Sequence, residues 1–386
     1  MKVFDIKKIA LGGVWPFNNS RFGPDSSQIY RRTREFLSIN HEPLARSEAR
    51  LSALPVRRPH PRHCSRLRFR DKQINTASEL AILKTMDDLR SEIQKLRGER
   101  HAVILGHNYQ RKEVQEVSDF LGDSYGLSVQ ASKTDAEVIV FCGVDFMAES
   151  AKILNPSRKV LIPNLRSECP MAAMVDAESL RALKETNPGV PVVSYVNTSA
   201  AVKAETDICC TSANAVKIVK SMPDKKIIFV PDTNLGLYVQ RFVKDKELIL
   251  WPGYCPTHVD IKVDDLRALK DEHPDADVLV HPECTPDVID FADFTYSTEG
   301  IMRHVKASPK MEFIIGTERN MVHRLESVAP GKVFYSLEAA VCPNMREITL
   351  ENVRDSLLKL QFPIEIPKDI IERARVPLER MLAAGA

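Results

Sequence analysis

Three cysteines that are each followed by proline recur at almost equal spacing along the 386-residue chain. They are Cys169, Cys255 and Cys342, so the intervals are 86 and 87 residues. Thiolates are ligands for soft metal ions and for iron–sulfur clusters. Single cysteines from distant segments favour a cluster, because structural zinc sites usually use CxxC-type pairs and a fourth protein ligand. The spacing therefore predicts one centre with three cysteine ligands.

Three thiolate ligands would leave one iron of a [4Fe–4S] cubane without a protein ligand. Such an iron is a Lewis acid that can accept a substrate oxygen or nitrogen. Electron-transfer cubanes normally have four cysteine ligands, so three ligands favour dehydration chemistry. Two alternatives stay open on the residues alone. One is an iron–sulfur sensor or scaffold without catalysis, and the other is a zinc-dependent lyase or aldolase.

Polar residues recur in the same register as these cysteines, with intervals of 88 and 86 residues. The triplets are His107, Tyr195 and His281; Tyr109, Asn197 and Glu283; and Ser124, Ser212 and Thr298. Members of the first two triplets lie two residues apart and share one face of an extended chain. The hydroxyl residues open helical patterns, where we predict helix N-caps. Helix N-termini that face one cavity would bind carboxylate or phosphate.

The secondary-structure elements that must position these residues are also predicted three times along the sequence. Each repeat contains short apolar runs, such as 102–109, 137–143 and 159–163, separated by stretches with helical spacing. Such alternation indicates βαβ units, parallel sheets and right-handed crossovers. We predict an α/β fold of three homologous three-layer α/β/α domains with small parallel sheets around a pseudo-threefold axis. The polar residues then meet in one cavity, because ligands bind beyond the carboxyl ends of parallel strands.

The predicted domain boundaries are 74–187, 188–272 and 273–386, with a helical tail in the last domain. Residues 1–73 carry sixteen basic and six acidic residues, and we predict a disordered N-terminal extension. A nucleic-acid or targeting arm is one alternative for this segment, and an upstream translation start that adds non-homologous residues is another. The rest of the chain carries 38 basic and 46 acidic residues, which argues against a nucleic-acid partner.

Bulk composition indicates a globular protein of a reducing compartment. Hydrophobic residues make up 44% and charged residues 27% of the chain, which is typical of soluble domains. No apolar run is long enough for a membrane span, and no secretory signal is evident, so we predict no membrane partner and a cytoplasmic location. The chain has eight cysteines. Four of the five cysteines outside the triplet are predicted to be structural: Cys142, Cys209, Cys210 and Cys284. Cys64 has no assigned role.

Nine ordered motifs between about residue 80 and the C-terminus resemble the quinolinate synthase family. The motifs are GHNYQ, GDSYG, FCGVDFMAESAKIL, YVNTSA, CTSANA, PGYCPTHV, HPEC, YSTEGI and CPNM. The resemblance implies a [4Fe–4S] cluster on Cys169, Cys255 and Cys342, with one unligated iron. It also implies a transferase that condenses iminoaspartate with dihydroxyacetone phosphate. Loss of phosphate and two waters would give quinolinate for de novo NAD biosynthesis.

Carried over motif by motif, the family's substrate-binding positions coincide with the polar triplets. They are His107, Tyr109, Ser124, Tyr195, Asn197, Ser212, His281, Glu283 and Thr298. We expect Glu283 and His281 to be the general acid and base, with Glu283 central. Tyr109 is expected to move a proton or hold an intermediate hydroxyl. An aspartate-oxidising enzyme is the expected source of iminoaspartate.

Overall fold

The computed structural model describes residues 77–385, with side chains from residue 85 onward. The predicted extension at 1–73 and Cys64 lie outside the described residues. None of the helices between residues 77 and 385 combines the length and apolar character that a membrane span needs.

The first unit is a sheet of four parallel strands in the order β2-β1-β3-β4. Its strands are β1 Ala102–His107, β2 Phe120–Gly122, β3 Val138–Cys142 and β4 Lys159–Leu161. The helices of this part are α1 Ala77–Glu99, α2 Lys112–Val117, α3 Ser124–Lys133, α4 Asp145–Leu154 and α5 Ala177–Glu185. Every residue of β3 is buried, because helices cover both faces of the sheet.

The second unit repeats this arrangement with the strand order β6-β5-β7-β8. Its strands are β5 Val192–Tyr195, β6 Ile208–Cys210, β7 Lys226–Val230 and β8 Glu247–Leu250. Its helices are α6 Ala200–Lys203, α7 Ala215–Ser221, α8 Thr233–Gln240, α9 Pro256–Val259 and α10 Val263–Glu272.

The third unit has the same order again, β10-β9-β11-β12. Its strands are β9 Asp277–Val280, β10 Phe294–Thr295, β11 Glu312–Gly316 and β12 Val333–Ser336. Its helices are α11 Pro286–Phe291, α12 Thr298–Ala307 and α13 Met321–Val328, followed by α14 Leu350–Lys359 and α15 Lys368–Ala384. The predicted α/β fold with three small parallel sheets is confirmed.

Each sheet contains one strand more than the three apolar runs predicted. The extra strands are β2, β6 and β10, which are only two or three residues long. Each pairs in parallel with the first strand of its unit. Their sequences, FLG, ICC and FT, are too short to show the periodicity that marks a strand in sequence.

A repeated carboxylate fixes the start of the first strand in every unit. One aspartate oxygen accepts a hydrogen bond from a strand N–H, and the distance is the same in all three units. The bonds run from Ile104 N to Asp119 Oδ2, from Val192 N to Asp207 Oδ2 and from Val278 N to Asp293 Oδ2, each at 2.8 Å. These aspartates form a further triplet in the 88- and 86-residue register.

The C-terminal helices pack away from the third sheet. Leu350, Val353 and Leu357 of α14 join the core formed by α1 and the first sheet. Helix α15 lies against α6, β6 and α4, and it buries Leu378 and Met381. The helical tail was placed in the third domain because of its position in the sequence. In the structure this tail packs on the first and second units.

Candidate active site

One cavity brings together all the residues that the sequence singled out. Its wall contains the nine polar positions of the triplets and the three Cys-Pro cysteines: His107, Tyr109, Ser124, Tyr195, Asn197, Ser212, His281, Glu283, Thr298, Cys169, Cys255 and Cys342. They lie at the carboxyl ends of strands or on the segments that follow them. Parallel strands carry their ligand sites at this edge.

Each cysteine begins one turn of helix, which explains the proline that follows it. The carbonyls of Cys169, Cys255 and Cys342 accept hydrogen bonds from the N–H four residues later, at 3.2, 3.0 and 3.3 Å. Proline is favoured at the first helical position, because it has no N–H to satisfy there. Burial raises the pKa of each thiol, and the backbone N–H three residues later, at Ala172, His258 and Met345, opposes that rise.

A second repeated contact holds these turns against the sheets. The residue two positions before each cysteine accepts a backbone hydrogen bond from a residue at, or just before, the start of the helix that follows β3, β7 or β11. The bonds are Asp145 N to Ser167 O, Thr233 N to Gly253 O and Arg319 N to Ala340 O, each at 2.8 Å. Gly253 has no room for a side chain, because a Cβ there would overlap the carbonyl oxygen of Pro231.

Two of the cysteine turns are also anchored by carboxylates. Asp145 Oδ1 accepts the N–H of Cys169 at 3.0 Å, and Glu318 Oε1 accepts that of Cys342 at 3.3 Å. Cys255 differs, because its Sγ lies 3.1 Å from His258 Nδ1.

The donor set fits an iron–sulfur cluster. Cys169, Cys255 and Cys342 are partly exposed, whereas the other described cysteines are buried, and all of them are free thiols. Within the described part of the chain, the three sulfurs do not form a group with all donor atoms within 4.8 Å of one another. They are therefore too widely spaced for one ion, while a cubane several atoms across takes ligands farther apart. Burial raises the pKa of each thiol, so metal binding would displace their protons.

The remaining four described cysteines occupy core positions. Cys142 and Cys210 are the last residues of β3 and β6, Cys209 is the middle residue of β6, and Cys284 lies in the core of the third unit. Burial raises the pKa of all four thiols. Cys209 and Cys210 form most of β6, the short strand that precedes α7.

The predicted N-caps are wrong. Asp123 caps α3 and Ser297 caps α12, so Ser124 and Thr298 are the first helical residues. Ser212 lies in the turn before α7, which begins at residue 215. The preceding residues cap these helices because their side chains accept the N–H three positions later. Asp123 Oδ1 accepts the N–H of Gly126 at 2.8 Å, and Ser297 Oγ accepts that of Gly300 at 3.2 Å. The cavity-facing hydroxyls are left for other partners.

Two of these hydroxyls are contacted by side chains from another unit. Asn108 Nδ2 donates to Thr298 Oγ1 at 3.0 Å, and His281 Nε2 lies 3.1 Å from Ser212 Oγ. Asn197 carries a buried Oδ1 that has no hydrogen-bond partner among the described residues. A buried acceptor without a partner is costly, which makes this atom a ready acceptor for a ligand donor.

Glu283 is the centre of a buried hydrogen-bond chain. Its Oε1 accepts from Tyr195 OH at 2.5 Å, and its Oε2 lies 2.8 Å from His258 Nδ1. His258 Nε2 lies 2.8 Å from Thr317 Oγ1, which in turn lies 2.6 Å from Tyr109 OH. The chain connects side chains of all three units.

The negative charge of this hydrogen-bond chain lies on the carboxylate of Glu283. Burial opposes ionisation of Glu283, but attraction to His258 and His281 and the hydrogen bonds from His258 and Tyr195 hold its pKa below the usual value. Burial and then the Glu283 charge raise the pKa of Tyr195 and Tyr109. At neutral pH the carboxylate is ionised and both phenols keep their protons.

The two histidines of the first triplet are neutral at physiological pH. Burial lowers the pKa of His107 to about 4 and that of His281 to about 3, against the attraction of Glu283. Each ring accepts a backbone N–H through Nδ1, from Tyr109 at 3.2 Å and from Glu283 at 3.3 Å.

His258 and Thr317 are the site residues that sequence reasoning missed. Their counterparts in the other units are apolar or small: Ala172 and Met345 for His258, and Gly143 and Pro231 for Thr317. A search for polar triplets cannot find residues that occur in one unit only. The position of His258 three residues after Cys255 was the available signal.

Comparison with known proteins gives consistent matches over the described part of the chain. The NadA family model, described as Quinolinate synthetase A protein, matches residues 91–383. The quinolinate synthase of Geotalea uraniireducens (strain Rf4) is 53% identical over 298 residues, which is 77% of this chain and 98% of the relative. Quinolinate synthase 1 of Methanosarcina acetivorans is 52% identical over 297 residues, covering 77% and 97%. The quinolinate synthase of Thermodesulfovibrio yellowstonii is 51% identical over 292 residues, covering 75% and 96%.

Proposed function

Since the chain belongs to the Quinolinate synthetase A protein family, we propose that it condenses iminoaspartate with dihydroxyacetone phosphate to form quinolinate. The reaction releases phosphate and two waters, and we class it as a transferase-type condensation. The observation that carries this proposal is the meeting of three thiols and the Glu283 hydrogen-bond chain in one cavity.

We propose Cys169, Cys255 and Cys342 as the ligands of a [4Fe–4S] cluster. When bound, a cubane with three protein ligands supplies a Lewis-acidic iron to a substrate oxygen or nitrogen. The fit rests on the free, partly exposed thiols and on their wide spacing around the same cavity.

The hydroxyl residues suit the negative charges of both substrates. Iminoaspartate has two carboxylates and dihydroxyacetone phosphate has a phosphate, so the site needs several donors. The hydroxyl of Thr298 accepts from Asn108 Nδ2, which leaves its own proton free for a ligand oxygen. Ser124 lines the cavity from the first turn of α3, where the helix dipole favours an anion. The unpartnered Oδ1 of Asn197 is suited to an imine or hydroxyl donor of the substrate.

The Glu283 chain can supply the proton transfers. The Glu283 carboxylate is ionised and accepts a proton from the substrate carbon or nitrogen as the ring is assembled. In one consistent orientation Tyr109 donates to Thr317, Thr317 to His258 Nε2, and His258 Nδ1–H to Glu283. A proton can therefore be passed between the Glu283 and Tyr109 ends of the chain. Each departing hydroxyl needs such a proton to leave as water.

Iminoaspartate is an imine that is hydrolysed in water, so it must be consumed soon after it is formed. We propose an aspartate-oxidising enzyme as its source.

The direct test is an anaerobic assay with iron- and sulfide-replete protein. Iminoaspartate is generated in the assay mixture, dihydroxyacetone phosphate is added, and quinolinate and phosphate are both quantified. Equal amounts of quinolinate and phosphate are expected. Fully loaded protein that forms no quinolinate, or releases phosphate without it, would overturn the proposed reaction.

A further inference from the structure

Cys255, His258 and Glu283 form a compact donor group on one side of the cavity. Their donor atoms all lie within 4.8 Å of one another, and no other three His, Cys, Asp or Glu side chains of the described residues do so. His258 Nδ1 lies 3.1 Å from Cys255 Sγ and 2.8 Å from Glu283 Oε2. This spacing is narrow enough for a single ion to contact all three atoms.

We infer that Cys255, His258 and Glu283 bind one Zn²⁺ ion when the chain carries no iron–sulfur cluster. Thiolate, imidazole and carboxylate are all zinc ligands, and three protein ligands leave the fourth tetrahedral position open to the cavity. The thiol proton of Cys255 passes to solvent as the ion binds. The ion and the two ligand charges then neutralise one another in a buried place.

The hydrogen bonds around the group suit metal binding. A ligating histidine usually donates its second ring N–H to a fixed partner, and a ligating carboxylate is itself hydrogen-bonded. His258 Nε2 lies 2.8 Å from Thr317 Oγ1, and Glu283 Oε1 accepts from Tyr195 OH at 2.5 Å. These contacts hold His258 Nδ1 and Glu283 Oε2 toward the same point.

The neighbouring side chains do not complete the set. His281 lies near Glu283, but its Nδ1 accepts the N–H of Glu283 and its Nε2 contacts Ser212. Cys169 and Cys342 belong to turns of other units, and they are not members of the compact group. The fourth position is therefore left to water or a small ligand.

Zinc and the proposed cluster both require Cys255, so they cannot be bound together. Zinc should therefore slow assembly of the cluster on chains that have lost or not yet received iron and sulfide. This consequence rests on the proposed function, whereas zinc binding itself does not. A protein that forms no quinolinate when loaded with iron would leave the zinc result unchanged.

The test uses the full-length protein after removal of iron and sulfide, with its secondary structure checked by circular dichroism. Co²⁺ is titrated first, because a cobalt–thiolate bond gives a charge-transfer band and tetrahedral cobalt gives strong visible bands. Zn²⁺ then displaces it in competition with a chromophoric chelator. One ion per chain with both spectral features is expected, and a chain that binds no stoichiometric ion would overturn the inference.

Variants separate this site from a three-cysteine zinc site. Loss of an outer hydrogen-bond partner costs about 10- to 100-fold in metal affinity, so loss of a ligand should cost at least as much. Cys255→Ser, His258→Gln and Glu283→Gln are therefore expected to weaken zinc binding by at least that factor. Cys169→Ser and Cys342→Ser are the matched controls and should keep one ion with an unchanged cobalt spectrum. Loss of binding in either control would place the zinc on the three cysteines instead.

The outer hydrogen bond provides a second comparison that leaves every ligand in place. Thr317→Val should lower zinc affinity by about 10- to 100-fold, while Thr317→Ser retains the hydroxyl and should stay near the wild type. Equal affinities in the two variants would remove His258 from the site. Finally, zinc-loaded protein should take up iron and sulfide more slowly than zinc-free protein. Full uptake with the zinc retained would show that the two sites do not share Cys255.

Discussion

Two polar pairs lie at the carboxyl ends of equivalent strands: His107 with Tyr109 in the first unit, and His281 with Glu283 in the third. The backbone geometry of the two pairs is alike, whereas their side-chain chemistry differs. In each pair the histidine Nδ1 accepts the N–H two residues later, from Tyr109 to His107 and from Glu283 to His281. The two distances, 3.2 and 3.3 Å, are nearly equal. The repeated backbone therefore determines where the second side chain of the pair projects.

The partners of that second side chain come from other units and are not repeated. Tyr109 contacts the Thr317 hydroxyl, while Glu283 contacts a phenol and an imidazole, those of Tyr195 and His258. One end of the chain thus holds a neutral phenol and the other an ionised carboxylate. The repeated backbone thus supplies equivalent positions, and the different side chains at those positions give the site a neutral phenol and an ionised carboxylate.

Removing the carboxylate should cause the largest change. Glu283→Gln keeps the size of the side chain but loses the base, so turnover should fall by about 10²- to 10⁴-fold, the usual contribution of a positioned acid or base. The iron and sulfide content and visible spectrum should stay as in the wild type. Turnover is measured as quinolinate formed under anaerobic conditions, and near-normal turnover would remove Glu283 from the proton-transfer role.

Removing the phenol at the other end should have a smaller effect. Tyr109→Phe deletes one donor at 2.6 Å from Thr317 and leaves the Glu283 carboxylate with its two partners. A loss of about 10²-fold in kcat is expected, the scale of one lost donor in an enclosed site. A loss as large as that of Glu283→Gln would mean that the two ends act as one unit.

The helix caps of the same two units offer a pH comparison, because a carboxylate in the first unit stands where the third has a hydroxyl. Burial raises the pKa of Asp123 to about 6, with Glu299 raising it further and hydrogen bonds from Gly126 and Tyr125 and the charge of Arg303 opposing the rise. The folded state therefore binds this proton more tightly than the unfolded state does. Its contribution to stability is present below the ordinary pKa and is lost as pH rises through about 6.

Asp123→Ser makes the cap of α3 resemble Ser297 at α12 and should remove this pH dependence. The apparent free energy of unfolding in urea is followed from about pH 4 to pH 7. The fall of roughly 2 to 3 kcal/mol that the Asp123 shift predicts for the wild type over this range should be absent in the variant. Ser297→Ala is the control, with a loss of about 1 kcal/mol that does not vary with pH. An unaltered pH profile in Asp123→Ser would contradict the assignment.

The repeated aspartates should behave alike, since their geometry is alike. Asp119 and Asp293 each accept a strand N–H at 2.8 Å, so Asp119→Ala and Asp293→Ala should each cost roughly 1 to 3 kcal/mol of stability. Chemical denaturation measures this cost, and turnover per folded molecule should be unchanged. A large loss of turnover from one variant alone would show that the two units are not equivalent at this place.

The register of the repeat predicted much of the site. Residues such as His107 and His281 recur at fixed intervals because each lies at the carboxyl end of the first strand of a parallel sheet, His107 as the last residue of β1 and His281 directly after β9. Ligand sites of parallel sheets lie at this edge. The same argument predicted the three sheets. The resemblance to the quinolinate synthase family, stated from nine motifs, is confirmed by the family match.

What escaped prediction was either short or unrepeated. Strand β10 has two residues, and its pairing to β9 comes from the fold and not from its own pattern. The N-caps of α3 and α12 were misplaced by one residue, because neighbours such as Asp123 and Ser124 are both good capping residues and only the path of the chain decides which side chain reaches the N–H. His258 and Thr317 have no polar counterparts in the other units, so no triplet marked them. Their contact at 2.8 Å depends on how the second and third units pack.

The central claim is that three cysteines, one from each Cys-Pro turn, hold a cluster in the cavity that Glu283 serves. Its most direct test is the iron and sulfide content of protein purified without oxygen, for the wild type and four cysteine variants. The wild type and Cys142→Ala, which changes a buried core thiol, should contain about four iron and four sulfide ions per chain. Cys169→Ala, Cys255→Ala and Cys342→Ala should each contain essentially none. A colourless wild-type protein, or a cluster lost only in the Cys142 variant, would contradict the account.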